Sequence, residues 1–226
     1  MKRYDLILFD LDGTLTDSCV GIAKAIQYAM DAYGIHVEDL TTLYQFAGPP
    51  LEVAFSALAP HFTEQDKKDA TVKYREYYNV TGWKENKAFP GAVQMLQSLK
   101  DAGLLLGTAS SKPEPYVRRI CEYFGLADYM ENELIGGADI ERGMFDKYEV
   151  LDYVMRKCPE IPKDRIVLVG DRKYDVEGGH LLGVPVIGVS FGYGGTKELT
   201  EAGCDVIVDS FEELTAYLTE EMSDVA

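Results

Sequence analysis

Short apolar runs alternate with segments of helical periodicity along most of the chain. Leu6–Phe9, Leu104–Ala109, Met130–Ile135, Ile166–Gly170, Val184–Val189 and Val206–Val208 have the length and the bounding turn residues of buried strands. Between them the apolar positions recur at helical spacing. Pro90 and Gly103 bracket one helix, with Val93, Leu96 and Leu99 on its inner stripe. Ser210 and Glu213 predict a capping box for another, which carries Phe211, Leu214 and Leu218. Strands alternating with helices predict an α/β fold, a doubly wound parallel sheet covered by helices on both faces.

One interval departs from this rhythm. From about Thr16 to Lys87 only helical patterns occur: Ile22, Ile26, Met30 and Tyr33; then Val53, Ala57 and Leu58 after Pro49-Pro50; then Glu64 to Tyr78, with Val72 and a Tyr74, Tyr77, Tyr78 cluster. The expected organisation is therefore an α/β core from residues 1–15 and 88–226, with residues 16–87 as an all-helical insert. The tail, 220–226, is expected to fray.

Composition narrows the choice of partner. A net charge of -16 over 226 residues disfavours nucleic-acid polymers and anionic membrane surfaces, which would be repelled. A small anionic substrate stays possible, because a bound cation reverses the local field. The apolar stretch Leu6–Phe9 is too short for a signal-peptide core or a membrane span. Cys19, Cys121, Cys158 and Cys204 form no C-x-x-C pair, which disfavours zinc and disulfides. Nor do His36, His61 and His180 fall at metal-binding spacing. The expectation is a cytoplasmic protein, monomeric or weakly dimeric.

The chemistry-bearing residues gather at predicted strand ends, where parallel sheets bind ligands. The first strand runs into Asp10-Leu11-Asp12-Gly13-Thr14, two carboxylates before a tight turn. Aspartate is ionised at neutral pH, so one can attack phosphorus while the second moves the proton. The second core strand leads into Ser110-Ser111-Lys112-Pro113, hydroxyls and backbone N–H groups ahead of a helix, a ready phosphate site. The strand Ile166–Gly170 ends in Asp171-Arg172-Lys173-Tyr174-Asp175, which adds two acids to an all-oxygen site suited to Mg2+. Four carboxylates and a phosphate dianion then need a cation and a lysine. Of Lys147, Lys157 and Lys163, Lys147 opens a helix near the strand ends and is the first choice. Each motif alone has a plainer reading: an acidic strand end with a turn, a helix entry, a cap followed by a solvated acid.

In combination these motifs resemble the haloacid dehalogenase superfamily of hydrolases over nearly the whole chain. Ala47-Gly48-Pro49-Pro50-Leu51, Phe89-Pro90-Gly91 and Gly192-Tyr193-Gly194 resemble its phosphoglycolate phosphatase and 5′-nucleotidase-like branch. Asp146-Lys147-Tyr148 replaces the K-P-x-P lysine motif frequent there. The resemblance implies a phosphatase acting on a small phosphorylated metabolite, with Asp10 as nucleophile and Asp12 as general acid and base. It implies phosphate binding by Ser110, Ser111 and Lys147, and Mg2+ held by Asp10, the Asp12 carbonyl and Asp171, with Asp175 on a metal-bound water. The helical insert would be a cap. Two other readings stay open, a phosphomutase of the same superfamily and a non-catalytic phospho-ligand-binding or receiver-like protein. Arg172 and Lys173 could steer an anion or offset local acid. Tyr78, Trp83 and Asn86 could pack or touch substrate, and Gly192 to Gly195 should form a turn beside the site.

Overall fold

A computed structural model describes residues 3–139 and 141–220 of the chain. Six strands form one sheet: β1 (Leu6–Phe9), β4 (Leu105–Pro113), β5 (Ile135–Ala138), β6 (Ile166–Gly170), β7 (Val186–Val189) and β8 (Val206–Val208). Their order is β5-β4-β1-β6-β7-β8 and every pairing is parallel. From β1 the chain steps outward to β5, then returns to β6 on the other side and steps outward again. The direction of winding reverses between β1 and β6, the place where such sheets open a crevice beyond their carboxyl ends.

Helices α4 (Ala92–Asp101), α5 (Glu114–Tyr123), α6 (Lys147–Met155), α7 (Lys173–Leu182), α8 (Gly195–Glu201) and α9 (Phe211–Thr219) surround the sheet. Side chains alternate across each strand. Leu6, Leu8, Ile166 and Leu168 therefore join one core with Val150, Leu151 and Val154 of α6 and Val176 of α7. Ile7, Phe9, Val167 and Val169, also fully buried, take the opposite face. Helices α4 and α9 pack on each other.

The chain divides into two compact units, Met1–Leu15 with Ala88–Ala226, and Thr16–Lys87. The second contains α1 (Cys19–Asp31), α2 (Leu51–Leu58) and α3 (Glu64–Val80). Helix α3 starts on a reciprocal cap between Thr63 and Asp66. Two-residue strands β2 (Thr16–Asp17) and β3 (Lys87–Ala88) pair with each other, a ribbon too short for periodicity to reveal. Tyr78, Trp83 and Asn86 are buried. Asn86 donates to Thr16 Oγ1 at 3.3 Å and accepts from Lys87 N–H at 2.8 Å.

Several elements differ from expectation. The strand expected at Met130–Ile135 lies at Ile135–Ala138, behind 3-10 turns at Ala127–Tyr129 and Asn132–Leu134. Gly136 and Gly137 hid it from an apolar-run reading, and both are required by space. A Cβ on Gly136 would stand 2.2 Å from Val154 Cγ2, and one on Gly137 2.6 Å from the Lys112 carbonyl oxygen. Helix α4 begins at Ala92, after Gly91 at φ 91°, rather than at Pro90. On α2 the buried pair is Ala54 and Phe55, with Val53 48% exposed. On α3 Val72 faces outward. Ser210 Oγ accepts from Glu213 N–H at 3.1 Å, but the Glu213 carboxylate takes the Asp209 N–H at 2.8 Å, one residue earlier than a capping box requires. The expected fraying lies, beyond Glu220, outside the described residues.

Candidate active site

Register places the chemistry. Phe9 is level with Thr108 of β4 and Val169 of β6. Asp10, Ser110 and Asp171 therefore emerge at one edge of the sheet, at the reversal of its winding. The Asp10 N–H is anchored on the Val169 carbonyl at 2.8 Å.

Asp171 is completely buried, and glycines make its space. A Cβ on Gly13 would stand 2.3 Å from Asp171 Oδ2, one on Gly192 2.2 Å from Asp171 Cβ, and one on Gly194 2.3 Å from its carbonyl oxygen. Gly13, at φ 86°, also needs the left-handed region that glycine enters freely. Two donors hold the carboxylate: Thr14 Oγ1 at 3.1 Å and the Tyr193 N–H at 2.7 Å. Burial, and then the charges of Asp175 and Asp10, push its pKa well above the usual carboxylate value against these donors.

Asp175, in the first turn of α7, is buried against Gly170 and accepts the Arg172 N–H at 3.0 Å. Oxygens of Asp10, Asp171 and Asp175 lie within 4.8 Å of one another. Three acids at such spacing repel unless a cation joins them. Asp10 Oδ1 and Asp175 Oδ1 are buried and meet the Lys147 ammonium, one positive charge against three carboxylates. This donor set fits a hard divalent cation. The Asp12 side chain is not part of this cluster; its Oδ2 forms a largely buried ion pair with Lys112.

Lys147 is the first residue of α6, where a cation opposes the helix dipole. It is nonetheless buried. Its Nζ forms ion pairs with Asp10 Oδ1 at 2.9 Å and Asp175 Oδ1 at 2.8 Å, and it donates to the Ala109 carbonyl at 2.9 Å. Burial disfavours its charge, but the two aspartates outweigh that and raise its pKa. Glu149 accepts the N–H groups of Phe145 and Asp146 at 2.8 and 3.0 Å, which fixes the start of α6.

The structure thus brings Asp10, Asp12, Ser110, Lys147, Asp171 and Asp175 to one edge. Ser110 is buried, and its Oγ accepts the Lys112 N–H at 3.3 Å, whereas Ser111 is exposed. Arg172 is taken by Glu198 at 2.8 Å. His36 pairs with Asp31 and His180 with Asp205, both at 2.9 Å. The four cysteines are free thiols, and burial pushes Cys121 up to about 12. No helix among the described residues is long and apolar enough to cross a membrane. Lys112, Thr14 and the Tyr193 N–H had no assigned part in the sequence reading. Thr14 and Lys112 stood inside the quoted motifs, but a backbone donor leaves no trace in residue type.

Comparison with known proteins places this geometry in a class. The model of the haloacid dehalogenase-like hydrolases matches residues 7–189. The chain belongs to that family. It is 36% identical over 197 residues to a 5′-nucleotidase of Pseudomonas aeruginosa, covering 87% of each chain. It is 34% identical over 202 residues to the tyrosine-protein kinase PtkA of Mycobacterium tuberculosis, covering 89% of this chain and 67% of the relative. Among solved structures, a predicted phosphatase from Clostridium acetobutylicum superposes with a TM-score of 0.86 at 40% identity, covering 94% of this chain and 96% of the other.

Proposed function

We propose that this chain is a Mg2+-dependent phosphatase that hydrolyses a small phosphate monoester through an aspartyl-phosphate on Asp10. One observation carries the reading. Lys147 Nζ stands within 3 Å of both Asp10 and Asp175, beside a cluster of three carboxylates, so a nucleophile and the means to neutralise a phosphate dianion share one place.

In the first step a carboxylate oxygen of Asp10 forms a bond to phosphorus while the bond to the ester oxygen breaks. Asp12 gives its proton to the departing oxygen. In the second, Asp12 takes a proton from water as that water attacks phosphorus, which releases inorganic phosphate and restores Asp10. Ser110, Ser111 and Lys147 hold the phosphoryl oxygens. Asp10, Asp171, Asp175 and the Asp12 carbonyl would hold Mg2+, which would supply positive charge against those oxygens. Residues 16–87 are the part we propose as selecting the organic group.

The relative named 5′-nucleotidase makes nucleoside monophosphates the first substrates to try, with phosphoglycolate and sugar phosphates beside them. The relative named as a tyrosine kinase favours a second reading, in which a protein hydroxyl rather than water accepts the phosphoryl group. A panel of phosphomonoesters with Mg2+, with chelator and with Asp10→Asn tests the first. Phosphate release that needs Mg2+ and Asp10 supports it. Undiminished release by Asp10→Asn contradicts it, and transfer from ATP to tyrosine without phosphate release favours the second.

A further inference from the structure

Asp12 is held from one side only. Lys112 pairs with its Oδ2, and both side chains are nearly buried, at 8% and 13% exposure. Asp12 Oδ1 is also buried but has no hydrogen-bond partner. Fixing one oxygen fixes the rotamer, and the other oxygen then has a defined direction.

Local backbone explains how Lys112 reaches it. Ser110 of β4 is level with Gly137 of β5, and Pro113 is level with the next residue, Ala138. Ser111 and Lys112 are therefore extra residues on β4, a bulge of the kind that re-aims side chains beside active sites. Gly137 makes room for it, since a Cβ there would stand 2.6 Å from the Lys112 carbonyl oxygen and 2.7 Å from Glu114 Cα. The Lys112 N–H donates back to Ser110 Oγ at 3.3 Å. The same bulge thus fixes both Ser110 and Lys112.

We infer that Lys112 is a positioning residue for proton transfer, pinning Asp12 Oδ2 so that Oδ1 faces the ester oxygen. The inference rests on the phosphatase reading above. When the P–O bond to the leaving group breaks, the proton on Oδ1 passes to that oxygen, and Oδ1 later recovers a proton from the attacking water. Lys112 itself exchanges no proton. Its loss therefore weakens the step in proportion to how much the leaving group needs protonation.

The test compares kcat/KM for p-nitrophenyl phosphate, whose leaving group departs as an anion, with an alkyl phosphate from the panel. Lys112→Met should lower the alkyl value about tenfold more than the aryl value, a part of the overall contribution of acid catalysis. In an Asp12→Asn background, Lys112→Met should have no further selective effect. Lys112→Arg, which keeps the cation, should recover most of the selectivity, and it serves if Lys112→Met fails to melt cooperatively. Equal losses on both substrates, or a selective loss that persists without the Asp12 carboxylate, would overturn the inference while leaving the phosphatase reading standing. A parent protein inactive on both substrates removes that reading, and the inference with it.

Discussion

Lys147 Nζ stands 2.9 Å from Asp10 Oδ1, and the lysine that makes this contact is buried at the start of a helix. A cation in that position is disfavoured twice, by burial and by the helix dipole. Its site is stable because Asp10 and Asp175 face it. Lys147→Met keeps the length of the side chain and removes the charge. Turnover should fall by roughly two to three orders of magnitude, the scale of losing one electrostatic contact to a transition state. In chelator the variant should also melt below the parent, because two buried carboxylates lose their partner. Steady-state kinetics and paired thermal melts check both.

Gly178 gives that lysine its room. A Cβ at this position on α7 would stand 2.8 Å from Lys147 Cγ and 3.0 Å from its Cβ. The obstructing atoms belong to the base of the side chain, so they cannot swing away. Gly178→Ala should cost about 1–3 kcal/mol by overpacking, and it should lower kcat beyond what the loss of folded protein explains. Denaturant titration and active-site-normalised kinetics separate the two effects.

Thr14 Oγ1 is one of two donors on Asp171, and Thr14 is fully buried. Thr14→Val preserves shape and removes the donor. Outer donors of this kind commonly change metal affinity about 10–100-fold. Half-maximal activation should therefore need correspondingly more Mg2+, read from activity against Mg2+ concentration, and the melting temperature in chelator should fall as well, because a buried carboxylate loses one of its two donors.

The edge of the sheet carries an acid-sensitive contact far from the chemistry. The Asp205 carboxylate accepts the Val186 N–H at 2.8 Å and pairs with His180 at 2.9 Å. Burial alone would raise its pKa, but these partners lower it below the usual value. A carboxylate depressed in the folded state stabilises the fold above its unfolded pKa of about 3.9, and loses that contribution as pH falls through the folded value. Asp205→Asn keeps the acceptor for Val186 and loses the charge. It should melt below the parent at neutral pH, and the two curves should converge below about pH 4. Melts across that range decide it.

The strand ends were legible because buried parallel strands are short unbroken apolar runs, and Asp10 and Asp171 stop two of them abruptly. The strand holding Gly136 and Gly137 was not, because close packing there demanded the smallest residue rather than an apolar one. Lys147 was legible as a candidate only through its place at a helix start. Nothing in its neighbours along the chain announces burial, which is set by Gly178 and by Asp10 and Asp175 at distant positions. Lys112 was visible in its motif, yet its partner depends on a two-residue bulge that no periodicity encodes. The face of α2 was misread because an eight-residue helix offers several stripes of similar apolarity, whereas on the 17-residue α3, of the apolar positions expected, only Val72 lies off the side that buries Ala70 and Tyr78.

Acid quenching during turnover, followed by borohydride reduction and peptide mass mapping, tests the central claim most directly. Reduction converts an aspartyl-phosphate to homoserine. Conversion confined to position 10, dependent on substrate and on Mg2+, is the predicted result. Continued phosphate release with no trapped residue at position 10, or with trapping at another carboxylate, would contradict the assignment of Asp10 as nucleophile.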